Sequence, residues 1–399
     1  MKNRLIIACV ALLGLASCAK GEFGIGRYGD VMESGVGGFG MSGFGGQGHH
    51  HEGAAGVLTA GEWNDLSHWD FWSGLMGSQS FEGMSDFWRM YTARRVSVRV
   101  ADGSGNRLPA VPVVLEQGGK AIWKALTDNQ GEASLWVDPF HAQAGLEGIS
   151  IVVDGTRIPE APKVSGFNVQ QEAEVNYYQL YTQQAPRAEK KADIAFIVDA
   201  TGSMGDEISF LKKDLMDILD RAKGGQADIE LRTGTVFYRD EGDEYVTKFS
   251  QFTNDYRETI GYIARQYAAG GGDLPEAVHT ALEAGLQNLS WNTSARARIA
   301  FLVLDAPAHQ DYQGVVESLQ ASIRNYAANG IKLIPVFCSS SSKECEFMCR
   351  FFAILTGGTY VFLTDDSGVG GDHIEASVGE YQVEPLNDLL VRLIAKYIG

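Results

Sequence analysis

The sequence predicts an α/β protein in which a mainly parallel sheet with helices on both faces follows a small β-sandwich. From residue 192 onward, apolar stretches of strand length alternate with stretches of helical periodicity, which is typical of strands joined by crossover helices. The first of these strands, residues 194–198, is continuously apolar, as expected for a central strand buried on both faces. Between residues 93 and 183, apolar and polar residues alternate in short runs separated by turn residues, which is typical of a β-sandwich.

Length and charge limit the number of domains and the kinds of partner. The chain has 399 residues, of which 45% are hydrophobic, and a prior of ~150 residues per domain predicts two or three domains. The formal net charge of −17 would repel nucleic acid and anionic lipid. We therefore expect no nucleic acid among the partners, whereas this charge is compatible with a site that holds a cation.

The amino terminus has the pattern of a targeting segment. Lys2 and Arg4 precede an apolar run, residues 5–15, that is too short to span a bilayer. The run ends in Leu-Ala-Ser-Cys, which resembles a bacterial lipobox and implies a signal peptide at 1–17 and lipidation of Cys18, as with palmitate. This resemblance implies a protein anchored in the cell envelope, at the outer membrane of a Gram-negative bacterium. An ordinary secretory peptide cut nearby is the alternative.

The next two segments, residues 18–56 and 57–92, differ in composition. The first is glycine-rich, contains the triplet His49–His51 and shows no hydrophobic period, so we expect a flexible tether. In the second we expect two amphipathic helices whose aromatic rings pack on neighbouring domains. An aromatic patch for a sugar or a partner is the alternative. The second segment holds four of the seven tryptophans, Trp63, Trp69, Trp72 and Trp88.

The β-sandwich region spans residues 93–183 and begins with valines that alternate with polar residues from Val96 to Val100. The phrase TDNQGEASLWV at 127–137 resembles carboxypeptidase-regulatory-like or bacterial immunoglobulin-like modules. That resemblance implies a spacer. A polar linker at 184–191 follows.

The remaining residues, 192–399, are expected to form the covered sheet. In such a sheet, ligands bind at loops that follow the carboxyl ends of the strands. The predicted strands cover residues 193–199, 228–238, 297–304, 331–337 and 358–363, and the predicted helices cover residues 205–222, 255–268, 275–289, 313–329, 343–355 and 385–397.

The most informative stretch is DIAFIVDATGSMG at residues 193–205. Asp199, Thr201 and Ser203 follow the apolar strand at alternate positions, just before a helix begins. This spacing brings one carboxylate and two hydroxyls to a single turn. Ligands that are all oxygen suit a hard divalent cation, Mg²⁺, Mn²⁺ or Ca²⁺.

This stretch resembles the first loop of a von Willebrand factor A domain, where it forms a metal-ion-dependent adhesion site. Residues 233–240, 270–278 and 301–309 resemble, in the family's order, an intervening strand and the two other parts of that site. The resemblance covers roughly half of the chain and implies a Rossmann-like fold, a single divalent ion and a protein partner.

The resemblance also implies a role for each residue of the site. Thr201 and Ser203 bind the ion directly, Asp199 holds it through water, and Asp305 lies in the outer shell. The second loop lacks the threonine of the best-known adhesion version, and we assign Asp273 as its ligand. Three carboxylates and a divalent ion sum formally to −1, so we expect tighter metal binding and weaker attraction for a partner's carboxylate than in the threonine version.

Four further residues are candidates for the ligand-binding face. Tyr238 and Arg239 end a strand at the same edge, where an ion pair with a neighbour is an equally good interpretation. Glu276 follows a proline, so a favourable interaction with the dipole at a helix start is its plainer role. His309 lies four residues beyond Asp305, and no nucleophile for it is evident.

The cysteines beyond the leader are Cys338, Cys345 and Cys349. In an oxidising compartment, one disulfide and one free thiol are expected, whereas buried thiols are the plainer alternative. The pairing is left open by the sequence.

These patterns predict a lipid-anchored binding protein that is not an enzyme. Its cation completes its coordination with an oxygen from a protein partner. No nucleophile–base pair, phosphate-binding loop or zinc motif is visible in the sequence. Two alternatives are an envelope component whose cation only stabilises the fold, and glycan binding by the tryptophan-rich segment.

Overall fold

The structure is a computed structural model, and several sequence predictions lie outside the part of the chain that it describes. These are the lipidation site Cys18, the tether at 18–56 and the predicted ligand Asp273. Among the residues that it does describe, no helix is both long enough and apolar enough to cross a membrane. The described residues are 7–9, 58–166, 175–180, 188–225, 228–272, 274–338, 342–365 and 374–399.

The described residues form sixteen strands and eight α-helices, which alternate through most of the carboxyl-terminal half. The strands are β1 Ile7–Cys9, β2 Thr59–Trp63, β3 Arg95–Asp102, β4 Pro112–Gln117, β5 Lys120–Leu126, β6 Glu132–Trp136, β7 Ile149–Val153, β8 Thr156–Arg157, β9 Val175–Leu180, β10 Glu189–Asp199, β11 Glu230–Tyr238, β12 Thr247–Thr253, β13 Ala295–Leu304, β14 Ile331–Phe337, β15 Tyr360–Thr364 and β16 Glu384–Pro385. The α-helices are α1 Trp69–Leu75, α2 Met84–Trp88, α3 Gly205–Gly224, α4 Tyr256–Ile263, α5 Val278–Gln287, α6 Val315–Ala328, α7 Lys343–Thr356 and α8 Leu386–Ile398.

An eight-stranded sheet forms the centre of this half, in the order β12-β11-β10-β13-β14-β15-β2-β16. Its five middle strands, β11, β10, β13, β14 and β15, are parallel to one another. The outer strands β12, β2 and β16 pair antiparallel. The predicted fold class, a mainly parallel sheet covered by helices, is therefore confirmed.

The two faces of β10 explain how the helices cover the sheet. Ile194, Phe196 and Val198 belong to one apolar cluster together with residues of α3 and α8. Ala195 and Ile197 belong to the other cluster, with residues of α5, α6 and α7. Because successive side chains of a strand point to opposite faces, an uninterrupted apolar run is what a strand between two helical layers requires.

The tryptophan-rich segment differs from its prediction at its start. Residues 59–63 form strand β2, which pairs with β15 and extends the large sheet, instead of the predicted helix. Gly61 is required here, because a Cβ atom would lie 2.6 Å from the Phe362 ring. The helices α1 and α2 follow. All four tryptophans are buried, so their rings contribute to the core, as the packing interpretation predicts.

Residues 93–183 supply seven of the eight strands of two four-stranded sheets, in the orders β1-β9-β3-β6 and β5-β4-β7-β8. Val96, Val98 and Val100 of β3 are almost fully buried between them. Strand β1 lies within the segment that the sequence predicts to be a signal peptide. A small sheet domain thus precedes the large sheet, as the sequence predicts.

The small and large sheet units share one apolar core, and a buried ion cluster fixes the segment between them. Arg350 of α7 is fully buried, with Nη2 2.5 Å from Asp65 and Nη1 3.2 Å from Glu346. Its guanidinium also lies over the Trp72 ring, 5.0 Å from the centroid. A buried cation between two carboxylates ties the segment around Asp65 to α7.

The three cysteines of the carboxyl-terminal half are free and buried in the structure. The expected disulfide is therefore absent among the described residues, and the alternative of buried thiols matches. Burial raises the pKa values of Cys338 and Cys349 well above the ordinary value, so both thiols are unreactive in the folded state.

Two predicted boundaries also need correction. The sequence places a helix at 275–289, but α5 begins at Val278. The predicted helix at 255–268 ends at Ile263. The residues outside these two helices, 264–268 and 275–277, flank the glycine-rich segment.

Candidate metal centre

The predicted site lies at the carboxyl ends of three adjacent parallel strands. Asp199 ends β10 and pairs in register with Tyr238, the last residue of β11. On the other side, Val198 pairs with Val303 of β13, two residues before Asp305. The chain leaves β10 to one side for β11 and later returns to the other side for β13. This is a topological switch point, where a crevice opens beyond the strand ends.

The first loop is organised around the Asp199 carboxylate. This side chain is fully buried, and its Oδ1 accepts hydrogen bonds from the backbone N–H of Thr201 at 2.8 Å and from the Thr201 hydroxyl at 2.7 Å. The Ser203 hydroxyl donates a hydrogen bond to Asp305. Each hydroxyl thus gives its proton to a carboxylate, which leaves its oxygen lone pairs available to a cation.

The acidic groups at this edge hold protons more tightly than ordinary carboxyls. Burial and the nearby Asp305 raise the pKa of Asp199 to about 7. Burial, followed by the Asp199 carboxylate, raises the pKa of Glu276 to about 9. Burial also raises the pKa of Asp305. Carboxylates crowded together out of water are stabilised by a bound cation or by protons.

Two of the carboxylate oxygens are buried without a hydrogen-bond partner among the described residues. They are Oδ2 of Asp199 and Oε2 of Glu276. An acceptor left unpaired in the interior costs about 1–3 kcal/mol. These oxygens and the two hydroxyls are hard donors, so the residues present fit a divalent cation.

Glu276 lies at this edge for a reason that differs from the predicted one. The sequence places it in the first turn of a helix, but α5 begins two residues later. The Glu276 N–H donates instead to the Pro307 carbonyl at 2.9 Å, and Glu276 forms an isolated parallel bridge with Ala308. This pairing holds the side chain among the acidic groups and away from a helix end.

The glycine-rich second loop packs directly on the first. The Gly202 N–H donates to the Gly270 carbonyl at 3.1 Å, and the Ala269 N–H donates to the Ala200 carbonyl at 3.0 Å. Gly270 and Gly271 have φ angles of +83° and +72°. A Cβ atom at Gly270 would lie 2.3 Å from the Asp243 carboxylate, so glycine is required there.

The other candidates from the sequence surround this centre. Tyr238 is fully buried beside Asp199 and Glu276, and burial raises its pKa well above the ordinary value. Arg239 is also buried, and it donates to the carbonyls of Ala200 at 3.1 Å and Tyr267 at 3.0 Å. Arg239 therefore connects the first loop to the loop that carries Tyr267.

His309 is held inside the rim of the site. Its Nε2 lies 2.7 Å from Oδ1 of Asp240, and its ring stacks on Tyr312 with centroids 4.1 Å apart. Only 1% of the His309 surface is exposed, so its imidazole supports the third loop from inside.

Sequence reasoning missed two acidic residues, Asp240 and Asp243, which follow β11. The Asp243 carboxylate accepts from the backbone N–H groups of Asp240 at 3.1 Å and Gly271 at 2.9 Å. The sequence signal was available, because YRDEGD places acids and a glycine directly after a strand at the same edge. Across the described residues, no three His, Cys, Asp or Glu side chains converge closely enough to hold a metal by themselves. A metal site at this edge would need the hydroxyls of the first loop as ligands.

Comparison with known proteins locates similarity in the same region. A family model described as von Willebrand factor A domain matches residues 193–344. The alpha-protein kinase vwkA of Dictyostelium discoideum is 28% identical over 155 residues, which are 38% of this chain and 24% of that protein. A putative ariadne-like RING finger protein of Acanthamoeba polyphaga mimivirus is 34% identical over 117 residues, 29% of this chain and 11% of that one. The chain thus spans less than a quarter of the length of each relative.

Two solved structures are also similar to part of this chain. The conserved hypothetical protein BatB of Bacteroides thetaiotaomicron is 14% identical, with a TM-score of 0.35, over 52% of this chain and 98% of that one. The pilus adhesin SpaC of Lactobacillus rhamnosus GG is 12% identical, with a TM-score of 0.37, over 53% of this chain and 30% of that one.

Proposed function

We propose that this protein, which contains a von Willebrand factor A domain, binds another protein through a divalent cation at the carboxyl edge of its large sheet. The observation that carries the proposal is the buried Asp199 carboxylate, whose Oδ2 has no hydrogen-bond partner within 3.5 Å among the described residues and has the Tyr238 hydroxyl as its polar neighbour. The Thr201 and Ser203 hydroxyls lie on the same loop and already give their protons to carboxylates. This arrangement supplies oxygen donors at a site that repels a further negative charge but suits a cation.

One Mg²⁺ ion, or Mn²⁺ or Ca²⁺ in its place, would be held by the hydroxyls of Thr201 and Ser203. Asp199 and Asp305 would orient these hydroxyls and bound water, and Asp273 would add a carboxylate from the second loop. When bound, the cation supplies a positive charge with an open coordination position for an oxygen of the partner. The protein's own groups set the geometry and exclude water beneath the loop.

The charge of this edge affects which partner binds. Asp240 and Asp243 add to the carboxylates of the site, whereas Glu276, whose pKa is raised to about 9, holds its proton at neutral pH in the absence of a cation. We expect Asp273→Thr to weaken cation binding and to strengthen the attraction for a partner's carboxylate, because it removes one negative charge from the cation's surroundings. Unchanged affinities for both would contradict this assignment.

We propose a binding role and not a catalytic one. His309 is engaged by Asp240 and Tyr312, and among the described residues no serine or cysteine forms a hydrogen bond with it. One relative is named as a kinase, but the similarity covers only 24% of that protein's length, so its activity is not transferred to this chain. A purely stabilising cation is the second candidate, favoured by the tight loop-to-loop hydrogen bonds at Gly202.

We further propose that a lipid on Cys18 anchors the protein in the cell envelope, at the outer membrane. The support is the sequence Leu-Ala-Ser-Cys after an apolar run. Incorporation of labelled palmitate into the wild type and its loss in Cys18→Ser test this location. Equal labelling of both proteins would contradict the anchor.

Binding and stabilisation are separated by assaying both on the same variants. Immobilised peptides that contain Asp or Glu are probed with the full chain in Mg²⁺ and in EDTA, using Ser203→Ala and the matched control Ser209→Ala, an exposed serine further along α3. We expect capture by a subset of peptides in Mg²⁺ that is lost in EDTA and in Ser203→Ala. A rise in the thermal midpoint with Mg²⁺ but no peptide capture would favour the stabilising role.

A further inference from the structure

A cavity of about 790 Å³ lies between the small sheet domain and the large sheet. Its walls include β3 and β6 on one side and the first residues of β13 and β14 on the other. These are the amino ends of parallel strands, so the cavity is at the opposite end of the large sheet from the candidate metal centre. Its volume falls within the range of about 300–1,000 Å³ that is usual for sites of small ligands.

The alternation of side chains along β3 brings polar groups to this cavity. Arg95, Ser97 and Arg99 line it, and Val98 adds a small apolar contribution, whereas Val96 and Val100 belong to the buried core alone. On the opposite wall, Arg296 and Arg298 line the cavity from alternate positions of β13. Two strands that are distant in sequence thus present arginines to one space.

The lining is positive although the whole chain is strongly negative. Asp128 pairs with one of the lining lysines at 3.0 Å, and Glu132 pairs with a lining arginine. Among the described residues, one further carboxylate lines the cavity, that of the exposed Asp70. The cationic lining residues are Arg95, Arg99, Arg296, Arg298, Lys332 and Lys396.

Two of these arginines are buried without an ion pair among the described residues. Arg95 is 9% exposed and donates to the Ser134 hydroxyl at 3.3 Å and the Leu66 carbonyl at 3.0 Å. Arg298 is 4% exposed and donates only to backbone carbonyls through Nε and Nη1. Burial lowers the pKa of both groups, to about 10 for Arg95, so both stay charged at neutral pH.

Several donors along the same walls also lack partners among the described residues. Ser97 Oγ, Arg99 Nε and Arg296 Nε are buried and make no hydrogen bond there. Arg296 is partly satisfied, because its Nη2 donates to an oxygen of Gly399. Buried donors without acceptors are rare in folded proteins, and a bound acceptor removes their cost.

We propose that this cavity binds a small organic anion that carries carboxylate or phosphate groups. Arg95 and Arg298 supply the charge, and the Ser97 hydroxyl supplies a further hydrogen bond. The planar guanidinium groups match the two oxygens of a carboxylate or phosphate. Trp69 and Tyr397 form an aromatic part of the lining against which the rest of the molecule can pack.

This proposal is independent of the cation-dependent function. The test therefore runs in EDTA, with succinate and inorganic phosphate as probes at constant ionic strength, by isothermal titration calorimetry on the full chain. We expect saturable binding of at least one probe, weakened about tenfold in Arg95→Gln and about threefold in Ser97→Ala. The matched control Arg221→Gln removes an exposed charge on α3, outside the cavity, and should bind like the wild type.

Ser97→Ala tests the same cavity if Arg95→Gln fails to fold. It removes a hydroxyl that has no hydrogen-bond partner among the described residues, so no other group loses a partner. The inference is overturned if neither probe binds saturably, or if binding survives both cavity substitutions. It is also overturned if only a Glu172→Gln, Glu174→Gln double variant binds. Glu174 directly precedes the lining residue Val175, and Glu172 lies two positions before Glu174. That result would mean that carboxylates of the chain itself pair with the arginines of the cavity.

Discussion

Replacing Glu276 with glutamine should stabilise the cation-free protein at alkaline pH. Glu276 is 4% exposed, and its pKa is raised from 4.5 to about 9, mainly by burial and then by the Asp199 carboxylate. A carboxyl whose pKa is higher in the folded than in the unfolded state binds its proton more tightly when folded. Its effect on stability is therefore most favourable below pH 4.5 and is lost as the pH rises toward 9.

The size of the effect follows from that interval. Each pH unit between the two pKa values changes the free energy of unfolding by about 1.4 kcal/mol. From pH 4.5 to pH 8 the wild type would lose about 5 kcal/mol through this single group, an upper bound that solvent and loop relaxation reduce to about 3 kcal/mol. Glutamine keeps the shape and carries no proton to titrate, so Glu276→Gln should avoid this loss.

The assay is urea unfolding in EDTA at pH 5 and pH 8, followed by tryptophan fluorescence. Between pH 5 and pH 8 the upper bound is about 4 kcal/mol. With the same reduction for relaxation, we expect the wild type to lose about 2–3 kcal/mol more between the two pH values than Glu276→Gln does. Glu317→Gln is the control, because Glu317 is exposed and forms a surface ion pair with Arg89. Equal pH dependence of Glu276→Gln and the wild type would refute the argument that Glu276 is crowded among buried carboxylates.

Three other predictions concern the loops and the junction between the sheets. Gly271→Ala should weaken Mg²⁺ binding about tenfold in calorimetry. The residue has a φ angle of +72°, and the new Cβ atom would lie 3.0 Å from a carboxylate oxygen of Glu276. Gly272→Ala is the control and should bind Mg²⁺ like the wild type, because the space around its Cβ position is open. Arg350→Met should lower the free energy of unfolding by about 3–5 kcal/mol, because it leaves the buried Asp65 without a cation and Glu346 with Lys343 alone. The exposed Arg221→Met should change it by less than about 1 kcal/mol, and equal effects in chemical denaturation would contradict this. Deleting residues 58–92 should expose the edge of β15 and cause aggregation in size-exclusion chromatography, and a folded monomer would contradict it.

The part of the fold that the sequence predicts best is the part whose signal is local. The apolar run before Asp199 fixes a central strand, and the oxygen-bearing residues directly after it mark the edge where the site lies. The glycines at 270–272 indicate a tight loop, and the structure assigns left-handed backbone to two of them. Both inferences need only the neighbouring residues and the period of the strand.

The errors arise where distant segments decide the structure. Pro275 and Glu276 have the pattern of a helix start, yet the Pro307 carbonyl captures the Glu276 N–H and delays the helix. The segment 59–63 is only five residues long and contains a glycine, so its own sequence does not indicate a strand. Only the free edge of β15 makes it one, through pairing that no sequence period reveals.

The cavity was hidden for the same reason. The alternation of Arg95, Ser97 and Arg99 with valines is visible in the sequence and predicts a half-buried strand. What those polar residues face depends on Arg296 and Arg298, about two hundred positions away. Periodicity identifies the exposed face of a strand but does not identify what packs opposite to it.

The most direct test of the cation site is calorimetric titration of Mg²⁺, Mn²⁺ and Ca²⁺ into the EDTA-treated, dialysed full chain. Asp199→Asn and Ser203→Ala are compared with Ser209→Ala, which changes an exposed serine of α3. The account predicts one saturable site for at least one ion in the wild type and the control, lost in both site variants. No binding by the wild type, or binding that persists in Asp199→Asn and Ser203→Ala, would contradict it.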